Sequence, residues 1–161
     1  MTNNNPLLTY FQSNENRRIQ KWRHYLDIYH RHFACFRNLQ PTVVEFGVKH
    51  GGSLQMWKEY FGIGARIYGV DINPICKMVE EEGIDILIGD QADKGFLNEL
   101  RDIVGPIDIL IDDGGHTMIQ QITTFEELYP SVSCPGVYVV EDLHTSYWRA
   151  FGGGINKPSS A

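Results

Sequence analysis

From Val43 onward, short apolar runs alternate with stretches of helical periodicity. Val43 to Val48, Arg66 to Ile72, Ile84 to Ile88, Ile107 to Ile111 and Val137 to Val140 read as strands. Ser53 to Phe61, Pro74 to Glu82, Asp93 to Val104 and Thr117 to Tyr129 read as the helices between them. Strands that are apolar at nearly every position are those buried on both faces of a parallel sheet. Strand–helix alternation with short connections puts helices on both sides of that sheet. The expected fold is therefore α/β, a doubly wound parallel sheet. Ahead of it, Ile19, Trp22, Leu26, Tyr29, Phe33 and Phe36 recur at spacings of three and four, which predicts one amphipathic helix over 15–37. Asn38 to Pro41 ends it, because proline and its predecessor disfavour helix.

These elements divide the chain into an N-terminal helical segment (1–40), a sheet core (41–151) and a tail of loop composition (152–161). The 161 residues make one domain by size, and 42% hydrophobic with 21% charged residues is the composition of a globular protein. No apolar run approaches the ~20 residues of a membrane span, and the N-terminus has no signal-peptide pattern. Cys35, Cys76 and Cys134 are too widely spaced for a zinc site and read as reduced thiols in a cytoplasmic protein. The net charge of −6 opposes general nucleic-acid binding. The charge is uneven: between Glu15 and Arg37 six Lys/Arg stand against two acids. That excess is either a solvated helix face or a basic surface turned toward an anionic substrate or a neighbouring subunit.

Two strands end in dense chemistry. Ile107 to Ile111 runs into Asp112-Asp113-Gly114-Gly115-His116, and Val137 to Val140 runs into Glu141-Asp142. Ligands of open α/β sheets sit at the carboxyl ends of the strands. Four carboxylates and an imidazole are thus delivered to that edge. Crowded carboxylates must be paired, protonated or metal-bound, and a divalent cation is the simplest partner.

The first strand leads into Glu45-Phe46-Gly47-Val48-Lys49-His50-Gly51-Gly52-Ser53. Glycines let the backbone approach a ligand, and Ser53 is placed to cap the following helix, whose N-terminus favours negative charge. The spacing is neither G-x-G-x-x-G nor a P-loop. Asp71 ends the second strand, 24 residues after Gly47, where an acid can bind both ribose hydroxyls. Gly89-Asp90-Gln91 ends the third, where a polar side chain can reach an adenine edge. Each feature has a plain alternative: a merely tight turn, Asp71 capping the turn before Pro74, Asp90 or Asp93 capping a helix. Three consecutive strand ends that suit one adenosine cofactor favour the binding reading.

The pattern E-x-G-x-x-x-G-x-S is that of class I S-adenosylmethionine (SAM) methyltransferases, whose Rossmann-like sheet has the order 3-2-1-4-5. More specifically, Val43 to Gly154 resembles the metal-dependent sugar O-methyltransferases of macrolide biosynthesis, of macrocin and mycinamicin type, and the related cephalosporin-hydroxylase and rhamnosyl O-methyltransferase group. The residues that carry this are Glu45, Gly47, Gly51 and Ser53, then Asp112 to His116, and above all Glu141 to Trp148 with Phe151-Gly152-Gly153-Gly154 behind. The resemblance implies SAM held by Glu45, Gly47, Gly51, Ser53, Asp71, Asp90 and Gln91. Asp112 faces either the methionine part or a backbone amide. It further implies Mg²⁺ on Asp113, Glu141 and Asp142, with His116 as general base toward a sugar or polyol hydroxyl. The chemistry is coherent, since chelation lowers a hydroxyl's pKa and an imidazole accepts its proton near neutrality. His116 capping a helix and Glu141-Asp142 as a solvated turn are the plain alternatives.

Full members add a sixth and seventh strand, which do not follow the fifth here, so the chain reads as truncated. A fifth strand at the edge, with Val137, Val139 and Val140, then calls for a covering segment or a homo-oligomer contact. Two other functions stay open: an NAD-dependent oxidoreductase, which the glycine spacing and the acidic pair oppose, and a non-catalytic SAM-binding module.

Overall fold

The structure is a computed structural model and describes residues 5–155. Five strands form one parallel sheet: β1 (Thr42–Phe46), β2 (Arg66–Asp71), β3 (Ile84–Ile88), β4 (Ile107–Asp112) and β5 (Val132–Val140). Their order is β3-β2-β1-β4-β5, as the resemblance to class I methyltransferases implies. In this order β1 and β4 are central, so Gly47 and Asp113 leave the sheet side by side.

Alternate residues of each strand serve opposite layers, the period-2 rule applied to a sheet covered on both sides. Val43, Ile67, Ile84 and Ile109 face α1 (Pro6–Ser13), α2 (Tyr25–Phe33) and α3 (Gly52–Phe61). Val44, Phe46, Val70 and Leu110 face α4 (Lys94–Val104) and α5 (Met118–Leu128). Asp93 and Thr117 cap α4 and α5, Thr117 through a reciprocal capping box with Gln120. The expected third helix after Asn73 is a shorter 3-10 stretch, Pro74–Val79.

Two expectations need correction. The single helix over 15–37 does not form: α1 ends at Ser13 and α2 begins at Tyr25. Between them Asn14 turns on itself, its side chain accepting from the Asn16 amide and donating to the Arg17 carbonyl. Such short polar side chains compete with helical hydrogen bonding. The backbone at Arg17 and Arg18 also lies so close to α3 that a Cβ on Gly52 would stand 2.4 Å from the Arg18 carbonyl oxygen. Nor does Ser53 cap α3. The cap position belongs to Gly51 at φ 73°, and Ser53 donates inward to Glu45 Oε2 at 2.7 Å.

The tail assigned to 152–161 lies mostly outside the described residues. Among the described residues, no helix is long and apolar enough to cross a membrane.

Aromatic packing fastens α2 to α3. Phe33 stacks on Tyr29 at 5.4 Å and meets Trp57 at 5.9 Å, all three fully buried. Truncation of Phe33 to alanine is expected to cost about 3–5 kcal/mol, the usual price of a large buried aromatic. Urea denaturation of F33A against the parent chain measures it.

Candidate active site

The carboxyl edge of the sheet opens into a cavity of about 550 Å³ lined by Gly47, Lys49, Asp71, Asp113, His116 and Asp142, among others. Its floor is backbone. Gly47 sits at φ 91°, and a Cβ there would lie 2.0 Å from the Asp113 carbonyl oxygen. Only glycine lets the β1 turn close against the end of β4.

Asp71 is drawn into this turn. Its Oδ2 accepts from the Val48 and Lys49 amides at 2.9 and 3.1 Å, and its Oδ1 from Asn73 at 2.9 Å. Burial alone would raise its pKa, but the amides of Asn73, Lys49 and Val48 hold the carboxyl below its ordinary value. A second, smaller hollow of about 160 Å³ shares Gly47, Asp71 and Gly114 with the first and adds Asp90 and Gln91.

Gln91 and Asp112 brace the loop after β4 from below. Gln91 Nε2 donates to Asp112 Oδ1 at 3.0 Å, and its Oε1 accepts from the Gly115 amide at 2.8 Å. Asp112 is fully buried, and burial pushes its carboxyl above the ordinary range against the lowering effect of Gln91 and Gly114. Its Oδ2 has no hydrogen-bond partner. Asp90 spends Oδ1 on the Ala92 amide at 2.8 Å. Gln91 and Asp90 line the smaller hollow, whereas Asp112 and Glu45 line neither.

The acids form two overlapping groups that share Asp113. Asp113, His116 and Asp142 bring their ligand-type atoms within 4.8 Å of one another, and so do Glu45, Asp113 and Glu141. In the outer group His116 Nε2 stands 3.7 Å from Asp113 Oδ1 and 3.8 Å from Asp142 Oδ2. Both His116 and Asp142 adopt positive φ, 57° and 53°, the left-handed region that Asp and His enter more readily than most non-glycine residues. The His116 carbonyl accepts from Thr145 Oγ1 at 2.9 Å, so the loops after β4 and β5 hold one another in place.

The inner group holds a residue the sequence reading passed over. Lys21, its side chain 1% exposed, sets Nζ at 2.7 Å from Glu45 Oε1, 2.8 Å from Asp113 Oδ2 and 2.5 Å from Glu141 Oε1. Burial disfavours its charge, yet the anions around it keep the ammonium's pKa well above the usual lysine value. Tyr29 also donates to Glu141 Oε1, and Tyr25 donates to Asp142 Oδ1 at 3.1 Å. For Glu141, burial pushes the carboxyl up and Asp113 adds to this, while Lys21 opposes both. The excess of basic residues over 15–37 is thus not all a solvated face, since one of them is the internal partner of the acid cluster. In the sequence Lys21 is one of several basic residues between Ile19 and Tyr29, off the apolar stripe, with nothing to set it apart.

The sheet order and the glycine turn opposite an acidic second strand define the SAM-methyltransferase class of doubly wound folds. No family model matches the chain. It is 46% identical over 139 residues to the 8-demethyl-8-alpha-L-rhamnosyl tetracenomycin-C 2'-O-methyltransferase of Streptomyces olivaceus, covering 82% of this chain and 36% of that protein. To the demethylmacrocin O-methyltransferase of Streptomyces fradiae it is 46% identical over 132 residues, 78% of this chain and 33% of that one. The MycE methyltransferase from the mycinamycin biosynthetic pathway, solved in complex with Mg, SAH and mycinamycin VI, superposes with a TM-score of 0.81. That match has 38% identity and covers 94% of this chain and 40% of the other.

The chain is a homologue of the sugar O-methyltransferases of natural-product pathways, and it spans about a third of the length of these relatives. The kinship does not favour the oxidoreductase or the non-catalytic module.

The turn at Gly47 has no room for a side chain. G47A is expected to lower stability by about 1–3 kcal/mol or more, the scale of a residue forced into a disfavoured conformation. Thermal or urea unfolding of G47A reads this directly, and an unchanged midpoint contradicts the close approach to Asp113.

Proposed function

We propose that this chain carries the active site of a SAM- and Mg²⁺-dependent O-methyltransferase that acts on a hydroxyl of a sugar or polyol attached to a small molecule. The observation that carries the reading is that one cavity is lined both by Gly47 with Asp71 and by Asp113, His116 and Asp142. A cofactor cradle and an acid–imidazole centre then face the same space.

The residues suit both groups. Asp113 Oδ1 and Asp142 Oδ2 accept no hydrogen bond among the described residues and lie beside His116, a hard oxygen donor set of the kind Mg²⁺ takes. Glu141, which groups with Glu45 and Asp113 and not with Asp142, is the third proposed ligand through Oε2, its Oε1 being held by Lys21 and Tyr29. The backbone from Gly47 to His50, which lines the cavity, suits the methionine part of SAM. Asp71, kept ionised by its amide donors, suits the ribose hydroxyls, and Asp90 and Gln91 flank the hollow beyond it.

When bound, the cation lowers the pKa of a chelated hydroxyl, and the sulfonium of SAM supplies an electrophilic methyl group. The protein does the rest. His116 Nε2 faces the space beside Asp113 and Asp142, where it can take the hydroxyl proton. Holding the acceptor oxygen and the methyl donor in one cavity replaces a collision by a positioned displacement.

Asp71→Ala removes charge-assisted hydrogen bonds worth roughly 1.5–3 kcal/mol, so affinity for S-adenosylhomocysteine should fall at least tenfold in calorimetry. Equal affinity would remove Asp71 from the cofactor site.

For the acceptor half, His116→Ala in the whole protein should slow methyl transfer to a glycosylated acceptor by roughly 10²–10⁴-fold. EDTA should abolish transfer while most S-adenosylhomocysteine affinity survives. Full turnover in EDTA would overturn the metal role even with the geometry intact.

A further inference from the structure

Each proposed ligand carboxylate is gripped from the same side. Asp113 gives Oδ2 to Lys21, Glu141 gives Oε1 to Lys21 and Tyr29, and Asp142 gives Oδ1 to Tyr25. The gripping residues all come from 21–29, and in each case the second oxygen accepts no hydrogen bond among the described residues. Glu45, which no cavity reaches, has its Oε2 satisfied by Ser53 and Trp57 at 2.7 and 3.1 Å. Its Oε1 has no hydrogen bond and only the Lys21 ammonium for company.

Three carboxylates around one buried point repel unless a cation stands between them. In the inner group Glu45–Asp113–Glu141 that cation is part of the chain. We propose that Lys21 is a built-in counter-cation: it permanently fills the inner acid group, makes the folded state independent of metal, and confines a divalent ion to the outward oxygens on the Asp142 side. Lys21 is thereby a positioning residue. It shares Asp113 and Glu141 with the ion but offers no atom to the acceptor. The inference rests on the proposed cation role of the outer oxygens.

The charge argument sets the sign of the test. Lys21→Met keeps an unbranched side chain, one atom shorter, and removes its charge, which leaves the inner acids without compensation, a strongly unfavourable state in a buried site. A divalent ion can then take the vacated place. In EDTA, K21M should melt well below the parent, and Mg²⁺ should raise its melting temperature by more than it raises the parent's.

Asp142→Asn should weaken Mn²⁺ binding to the parent, measured by calorimetry or by the loss of the free Mn²⁺ resonance signal. The double variant K21M/D142N should bind Mn²⁺ at least tenfold more tightly than D142N, since the inner group is now open. Equal Mn²⁺ affinity of the two, or an identical Mg²⁺ effect on melting in K21M and parent, would overturn the proposal. If K21M does not fold, nitrogen-15 resonances of the parent's lysine ammonium groups decide. A slowly exchanging Lys21 signal that persists at saturating Mg²⁺ supports the proposal, and its disappearance on Mg²⁺ binding refutes it. Failure of the metal-dependent function shows separately, as a parent chain that binds no Mn²⁺.

Discussion

A carboxylate buried at the heart of the sheet constrains everything around it. Glu45 lies on the central strand with no exposed surface. An isolated charge there would be prohibitive, so the fold must bring donors to it. Ser53 and Trp57 come from α3, which fixes how that helix sits over β1, and Lys21 comes from the N-terminal segment. One residue of β1 therefore decides the docking of two elements separated in sequence by most of the amino-terminal third. The same ammonium, once drawn in to serve Glu45, meets Asp113 and Glu141.

The structural and the chemical halves of the molecule are in this way continuous. The aromatic stack of Tyr29, Phe33 and Trp57 gives α2 its anchorage, and the hydroxyl of Tyr29 extends from that stack to Glu141. Packing energy thus orients an acid at the carboxyl edge of the sheet. On the other face, Gln91 reaches from beyond the end of β3 to Asp112 and the Gly115 amide, so the loop bearing Asp113 and His116 is held from beneath by a side chain that follows a strand three places away in the sheet. The positive φ values of His116 and Asp142 are sustained by this bracing and by the hydrogen bond of Thr145 to the loop.

The position of the N-terminal segment also explains why its periodicity misleads. Ile19 and Trp22 keep step with Leu26 and Tyr29 in the sequence, yet the chain between Asn14 and His24 is not helical. An α-helix through Lys21 would have to forgo the asparagine turn and the close seat against Gly52. The buried ion pairs of Lys21 and the contacts of Arg17 and Arg18 with α3 outweigh the few tenths of a kcal/mol per residue of helical propensity at stake there.

The frame and the delivery of the chemistry are legible in the residue pattern. Apolar runs of strand length, separated by helix-length segments, specify a doubly wound sheet. A glycine turn after β1 and acids after β2, β4 and β5 place the chemistry at its carboxyl edge. These are local properties: burial on both faces and a positive φ at Gly47 leave their mark on the residues that need them. The pairing of the charged groups is set by the packing of distant elements. Nothing near Lys21 in the chain tells that it will be buried, that Ser53 will turn inward instead of capping, or that Asp113 will divide its two oxygens between an internal ammonium and His116. Those outcomes depend on long-range compensation of charge in a low-dielectric interior, where a partner's identity is set by which element arrives at 3 Å, not by its distance along the chain.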